Sequence, residues 1–344
     1  MSGTTYTFKV QARDVAGNVS GFSNEISVTT QTNIAELQIA SGNLDTYLGN
    51  FIDNVPGDSG NNYQVPSTND LNTWGETIGA ILAENIIVAV QKSALVNYQI
   101  TEFTDTTLNP NQVFYILEEQ SSKSRHWGVY VFSKTPIRDN LIIQAPHIKN
   151  DINTGKQAVY CFKENLAKAV FINGTHRCNN SSFSSCSGTT STCGSDESYR
   201  VSDLAHNTQS VFQKTTESVF STIANSVFIQ LHGFGKQASD PYVILSNGTR
   251  QTPTIDYATL LKEALFNEDN TLTFKIAHID TDWSRLIGFT NTQGRFINSS
   301  ANPCTSSATS TSGRFIHVEQ ERTKLRDNTS GWVKMSNALK SVFN

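Results

Sequence analysis

The chain has 344 residues, 16% of them charged and 37% hydrophobic, with a net charge of −4. That length and apolar content predict a packed core, in one large domain or one domain with an appendage, under a mostly uncharged polar surface. The acidic balance and the lack of a basic stripe exclude the electrostatic footprint of a nucleic-acid binder, and no apolar run reaches the ~18–20 residues that cross a bilayer.

The opening "MSGTTYTFKVQARD" lacks the apolar stretch of a signal peptide and reads as the interior of a longer chain. Residues 5–30 alternate with period two on both sides of an Ala-Gly-Asn turn, which predicts a β-hairpin. The segment "YTFKVQARDVAGNVS" resembles the penultimate strand and following loop of a fibronectin type III domain. Only the last two strands of such a sandwich are covered, so the resemblance implies a C-terminal remnant at 1–31 and a modular extracellular protein.

Residues 34–53 read as a short helix, and 69–92, "DLNTWGETIGAILAENIIVAVQKS", carry apolar residues at helical spacing behind an Asn/Asp cap. This gives a linker and helical lead-in at 32–94. From 95 to 344 strand-like runs follow one another: "VNYQITEF", "VFYILEE", "HWGVYVFS", "NLIIQAP", "KAVFING", "SVFIQLHG", "PYVILSNG", "FKIAHID" and "FIHVEQE". Helical patterns lie between them at 155–168, 203–222 and 255–266. The predicted fold class is therefore α/β: a mixed, largely parallel open sheet with helices on both faces, plus a short N-terminal β-hairpin remnant.

Of the five cysteines, Cys178, Cys186 and Cys193 fall in the Ser/Thr/Gly-rich stretch "CNNSSFSSCSGTTSTC", which core burial cannot shape. One or two disulfides there, and with them an oxidising, extracellular location, are expected. Cys161 sits in the apolar pattern "QAVYCF" and reads as a buried free thiol, and the pairing of the others, Cys304 included, is not set by the sequence. No spacing matches the paired cysteines of a structural zinc.

In open α/β sheets ligands bind where strands end. Four histidines fall at such ends: "LIIQAPH" delivers His147, "AVFINGTH" His176, "VFIQLH" His232 and "FKIAH" His278. Imidazole is the commonest transition-metal ligand and a carboxylate is a compatible partner. Asp151 lies four residues after His147, either as a ligand or as a group that orients one. In "FIHVEQE", His317, Glu319 and Glu321 share one strand face, and a half-buried carboxylate there is costly unless paired or functional. In "SYRVSDLAHNTQSVFQ", Asp203 reads as an N-cap or first-turn residue, with His206 one turn on and Arg200 before it. Together with His176 and Arg177 these are expected to line a polar pocket whose guanidinium groups would suit a substrate carboxylate. The chain contains no G-x-S-x-G, H-E-x-x-H, Walker A or G-x-G-x-x-G motif.

This order of motifs resembles the zinc carboxypeptidase-like hydrolases, in particular their N-formylglutamate amidohydrolase and poly-γ-glutamate hydrolase branches, over roughly residues 95–330. "APHIKND" is similar to the loop that supplies the first histidine and the acid, and "FIQLHGF" to the strand end that supplies the second histidine. "VEQERTKLRD" is similar to the segment that holds the base, and "THRC…YRVSDLAHN" to the stretch that binds substrate. The resemblance implies one Zn2+ on His147, Asp151 and His232, and Glu319 as general base, with Glu321 as its rival. Arg177 would serve as catalytic cation, and His176, Arg200, Asp203 and His206 would lie around the substrate. It departs from the family in that the acid is Asp, four residues on, where carboxypeptidases have His-x-x-Glu.

The expectation is a secreted or cell-surface, monomeric zinc hydrolase cleaving an amide bond in a peptide-like, γ-glutamyl or N-acyl amino acid substrate. The competing readings are a non-catalytic extracellular binding module and a metal-dependent esterase or phosphoesterase. Zinc analysis separates the first pair.

Overall fold

The computed structural model describes residues 4–29, 35–121 and 124–344. The chain divides into two compact units, Met1–Glu36 and Leu37–Asn344. In the first, β1 (Thr5–Phe8) pairs antiparallel with β2 (Ile26–Thr29), Thr5 opposite Thr29. Asp14 shapes the turn between them, its Oδ1 accepting from the Ala16 and Asn18 backbone N–H groups at 2.9 Å each. Every residue of both strands is exposed.

The second unit opens with β3 (Gln38–Gly42), α1 (Leu44–Asn54), α2 (Thr68–Leu82), α3 (Ile86–Leu95), β4 (Tyr98–Asp105), β5 (Gln112–Glu119) and β6 (Val129–Ser133). It continues through β7 (Arg138–Ala145), α4 (Thr154–Asn165), β8 (Ala167–Ile172), the two-residue β9 (Thr189–Thr190) and β10 (Glu197–Ser198), and α5 (Val211–Thr222). β11 (Val227–Phe234), β12 (Val243–Ser246), α6 (Tyr257–Glu268), β13 (Phe274–Ile276), α7 (Thr292–Ile297), β14 (Phe315–Glu321) and α8 (Thr329–Val342) complete it.

Ten of these strands form one mixed sheet in the order β13-β12-β14-β11-β7-β8-β6-β5-β4-β3. Its centre, β14-β11-β7-β8, is parallel throughout. Strands buried on both faces need apolar side chains on both sides, and β6, β7 and β11 supply them. On one face Leu141, Ile143, Val227, Ile229, Leu231, Ile316 and Val318 join residues of α1, α4, α6 and α8 in the main core. The opposite face is covered by α2, α5 and α7 and is partly polar: Gln144, Gln230, His232, His317 and Glu319 follow the same period-two register across β7, β11 and β14.

The helix expected over 34–53 is a strand followed by a helix. Gln38–Gly42 pairs in parallel with β4, a tertiary partner that local propensity does not register, and α1 starts where Asn43 caps the Thr46 N–H. The single helix expected over 69–92 is two. Glu84 takes a left-handed φ of +58°, and Asn85 then caps α3 through the Val88 N–H. The helix expected over 203–222 begins only at Val211, capped by Ser210, and residues 204–206 form a separate 3-10 turn.

Two disulfides shape the loop after β8. Cys178–Cys193 closes 15 residues within it, and Cys186–Cys304 ties it to the segment before β14. Cys161 is free and buried, and burial pushes its thiol pKa up. Asn173 and Asn247, the asparagines of the two Asn-Gly-Thr sequons, are fully buried and so are closed to a glycan. No helix among the described residues is long and apolar enough to cross a membrane.

Candidate metal centre

The site lies where the central parallel strands end. After β7 the chain turns at Pro146, and the Asp151 N–H donates to the His147 carbonyl at 2.8 Å, closing one helical turn. Residues four apart on such a turn share a face, so the spacing alone brings the Asp151 carboxylate beside the His147 ring. Asn173, at the end of β8, donates to the Pro146 carbonyl at 2.6 Å and holds the turn from the neighbouring strand. From β11 comes His232, and its register partner on β14 is Glu319.

Three acceptor atoms converge. His147 Nδ1 and His232 Nδ1 lie 3.1 Å apart, and each lies 3.4 Å from Asp151 Oδ2. The opposite nitrogens are engaged, His147 Nε2 with Asp203 Oδ1 at 2.9 Å and His232 Nε2 with Gln230 Oε1 at 2.7 Å. Both partner oxygens accept, so each Nε2 carries the ring proton and each Nδ1 presents a lone pair. Metal bonds of about 2.0–2.2 Å at tetrahedral angles set ligand atoms about 3.3–3.6 Å apart, the spacing of this triad to within a few tenths of an ångström. Asp151 is itself fixed, since Oδ2 accepts from the Gly233 N–H and Oδ1 from Asn150.

Among the described residues two other clusters have metal-ligand composition, His147/Asp203/His206 and His232/His317/Glu319. In the first, His147 Nε2 and His206 Nδ1 both donate to Asp203 Oδ1 at 2.9 Å, so its members already satisfy one another. In the second, His317 Nε2 stands 3.6 Å from Glu319 Oε1, while His317 Nδ1 and Glu319 Oε2 are buried without a partner.

The electrostatics follow from burial and from Asp203. Burial favours neutral His147, but Asp203 and Asp151 outweigh it and raise its pKa. Burial lowers His232 to about 4. Burial also works against the Asp203 charge, yet Arg177, His206 and His147 hold its carboxyl well below the usual range. Arg177 donates through Nε and Nη2 to Asp203 Oδ2, and its Nη1 reaches within 3.4 Å of His147 Nδ1. Glu319 is pushed up to about 8, by burial first and then by Asp151.

These groups open onto a cavity of about 1040 Å³. His147, Asp151, Arg177, His206, His232, His317 and Glu319 line it, with Thr189–Thr192 of the disulfide-bonded loop on one side and Ser284–Thr290 on another.

No family model and no curated protein sequence matches the chain. Solved structures do. A bacteriophage poly-gamma-glutamate hydrolase aligns at 10% identity over 64% of this chain and 90% of that one, with a TM-score of 0.33. A metallo-carboxypeptidase from Burkholderia cenocepacia aligns at 11% identity over 76% of this chain and 66% of that one, also at 0.33.

Of the residues singled out in the sequence, His147, Asp151, His232, Glu319, Arg177 and His206 meet at the cavity. Asp203 is fully buried beneath it, where its carboxylate orients His147, Arg177 and His206. His176 and Arg200 lie outside the lining. His176 Nδ1 accepts from the Cys178 N–H, and Arg200 pairs with Glu197 and covers the Phe183 ring. Glu321 turns away as well, capping the turn at 322–326 through the Lys324 N–H. His278 is bound to Asp256, the N-cap of α6. Sequence reasoning passed over Gln230 and Tyr199. Tyr199 stacks on His206 with centroids 3.7 Å apart and shares a hydrogen bond with Thr290, which lines the cavity beside it. A glutamine inside the apolar run "VFIQLH" was the visible signal for the first, and the second left none.

Proposed function

We propose that the α/β unit is a zinc-dependent hydrolase of amide bonds, acting outside the cell on peptide-like, γ-glutamyl or N-acyl amino acid substrates. The observation that carries this reading is the convergence of three lone-pair donors, His147 Nδ1, His232 Nδ1 and Asp151 Oδ2, at tetrahedral spacing beside a buried carboxylate. Three protein ligands are the number that leaves one position open for catalysis. A zinc ion held there supplies a water of lowered pKa and polarises the substrate carbonyl.

The chain's own residues do the rest. Glu319 accepts a proton from the attacking water and passes it to the leaving nitrogen. A cation beside it favours the ionised form that a base needs, against the burial that raises its pKa. Arg177, held by Asp203, offers its remaining N–H groups to the oxyanion or to a substrate carboxylate. His206 shares the Asp203 carboxylate with it and lines the same cavity. The two disulfides support an extracellular setting.

Elemental analysis tests the centre, with about one zinc per chain expected and its loss in His147→Ala and in His232→Ala. A wild-type protein that takes up no metal after zinc addition overturns the reading. Glu319→Gln is expected to keep zinc and lose hydrolysis of γ-glutamyl and N-acyl amides.

A further inference from the structure

Behind His232 lies a layer of fully buried side-chain amides, Gln144 on β7, Gln230 on β11 and Gln293 on α7. Burying an amide without partners costs roughly 1–3 kcal/mol, so their arrangement has a purpose only if every group is matched, and it is. The matching also fixes which end of each amide faces which way.

A backbone carbonyl can only accept. Leu204 O receives Gln293 Nε2 at 2.9 Å, so the Gln293 oxygen faces Gln230 and accepts from its Nε2 at 3.1 Å. A second anchor gives the same answer. The Phe212 carbonyl receives the Thr216 hydroxyl, Thr216 Oγ1 receives Gln144 Nε2 at 2.8 Å, and Gln144 Oε1 receives Gln230 Nε2 at 2.9 Å. A third anchor agrees, because Asn291 uses its Oδ1 to cap α7 at the Gly294 N–H and its Nδ2 to donate to Gln230 Oε1. Gln230 therefore has both amide hydrogens committed away from the site, and its oxygen faces His232.

We propose that Gln230 is a positioning residue for His232, its side-chain oxygen holding the ring proton on Nε2 so that Nδ1 is delivered unprotonated to the triad. A neutral imidazole has one proton and two nitrogens, so without this constraint the metal-facing nitrogen would carry hydrogen part of the time. The lock is made by α5, α7 and the neighbouring strand β7, and so links the packing of the sheet's polar face to metal competence. The consequence for zinc rests on the metal-centre reading above, whereas the tautomer does not.

The test is a 15N spectrum of the histidine rings in the metal-free protein, with zinc affinity measured alongside. Wild type is expected to show His232 protonated at Nε2 and bare at Nδ1. Gln230→Met fills the same space without an acceptor, and is expected to populate both tautomers and to weaken zinc binding about 10- to 100-fold. Gln230→Glu keeps an oxygen facing the ring but loses the N–H groups that Gln144 Oε1 and Gln293 Oε1 accept, so it is expected to be less stable and, where folded, to keep the Nε2–H form. A wild-type His232 protonated at Nδ1 overturns the inference whether or not the variants fold, as does a folded Gln230→Met with unchanged tautomer and affinity. Should the wild-type tautomer be as stated and zinc fail to bind, the metal reading falls and the orientation of His232 stands.

Discussion

His147 Nδ1 and His232 Nδ1 face each other across 3.1 Å, each with its other nitrogen donating to a fixed oxygen. Two lone pairs at that distance repel, and Asp151 Oδ2 adds a third acceptor. The pocket therefore attracts a cation, either a proton or a metal. Of the two rings His147 is the one that takes the proton: burial opposes its charge but Asp203 and Asp151 raise its pKa, whereas burial depresses His232 to about 4.

Zinc and that proton compete, which gives the site a pH dependence of known sign. Below the raised pKa of His147 a metal must displace a proton to bind, and above it none is displaced. Zinc affinity is thus expected to fall as pH drops through that value, with proton release on binding. Calorimetric titrations in two buffers of different ionisation enthalpy measure the release directly. Heats that do not depend on the buffer at mildly acidic pH would contradict the assignment of the proton to the triad.

Asp203 joins three cavity residues through one carboxylate, at Oδ1 to His147 and His206 and at Oδ2 to Arg177. Asp203→Asn keeps the shape but leaves Arg177, a part-buried cation at the cavity wall, without its counter-charge. Breaking a fully buried pair costs about 3–5 kcal/mol, and a smaller loss is expected here because Arg177 borders the cavity, while loss of an outer partner of a ligand histidine typically weakens metal binding by about 10- to 100-fold. Urea denaturation and zinc titration of the variant check both figures. A variant matching wild type in the two measurements would show that the carboxylate charge is not used.

These relationships mark the limit of what sequence could disclose. Histidines at strand ends were legible because a strand delivers its last residue to the sheet edge whatever its neighbours do, and the four-residue spacing of His147 and Asp151 was legible because one helical turn is a local object. Asp203 meets His147 from 56 residues away in sequence, through a turn where a helix was expected, so its cap-like position concealed its role. Gln38–Gly42 became a strand through its pairing with β4. The Cys186–Cys304 bond spans 118 residues, and no spacing rule predicts a partner so distant. In each case the missing information was a tertiary contact.

Gly288 is a point at which the cavity wall has no room to spare. It holds φ +67°, and a Cβ added there would stand 2.8 Å from Cγ of the His317 ring. That contact is with a ring already packed against His232, at 4.3 Å between centroids. Gly288→Ala is therefore expected to lose about 1–3 kcal/mol of stability through overpacking and backbone strain. Because the displaced ring neighbours Glu319, kcat is expected to fall while zinc content stays unchanged. A thermal melt, a metal assay and a kcat measurement on one preparation decide it, and a variant with wild-type kcat would place the ring outside the reaction.

The two disulfides make separable contributions. In the chain-entropy account a cross-link stabilises in proportion to the logarithm of the loop that it closes, about 3 kcal/mol for 15 residues and about 4–5 kcal/mol for a loop of more than 100. Cys186–Cys304 closes 118 residues and Cys178–Cys193 closes 15, so Cys186→Ser with Cys304→Ser is expected to lower stability more than Cys178→Ser with Cys193→Ser. The order should reverse for substrate binding. Thr189–Thr192 line the cavity from inside the smaller loop, and their side of the wall is anchored at Cys193, one residue beyond them. Elsewhere Arg295 still holds the segment, donating to Ser187 and to the Cys304 carbonyl. The smaller disulfide is therefore expected to act on KM with kcat nearly unchanged, and the larger on the denaturation midpoint. Equal KM in the two double variants would mean that the loop touches no part of the substrate.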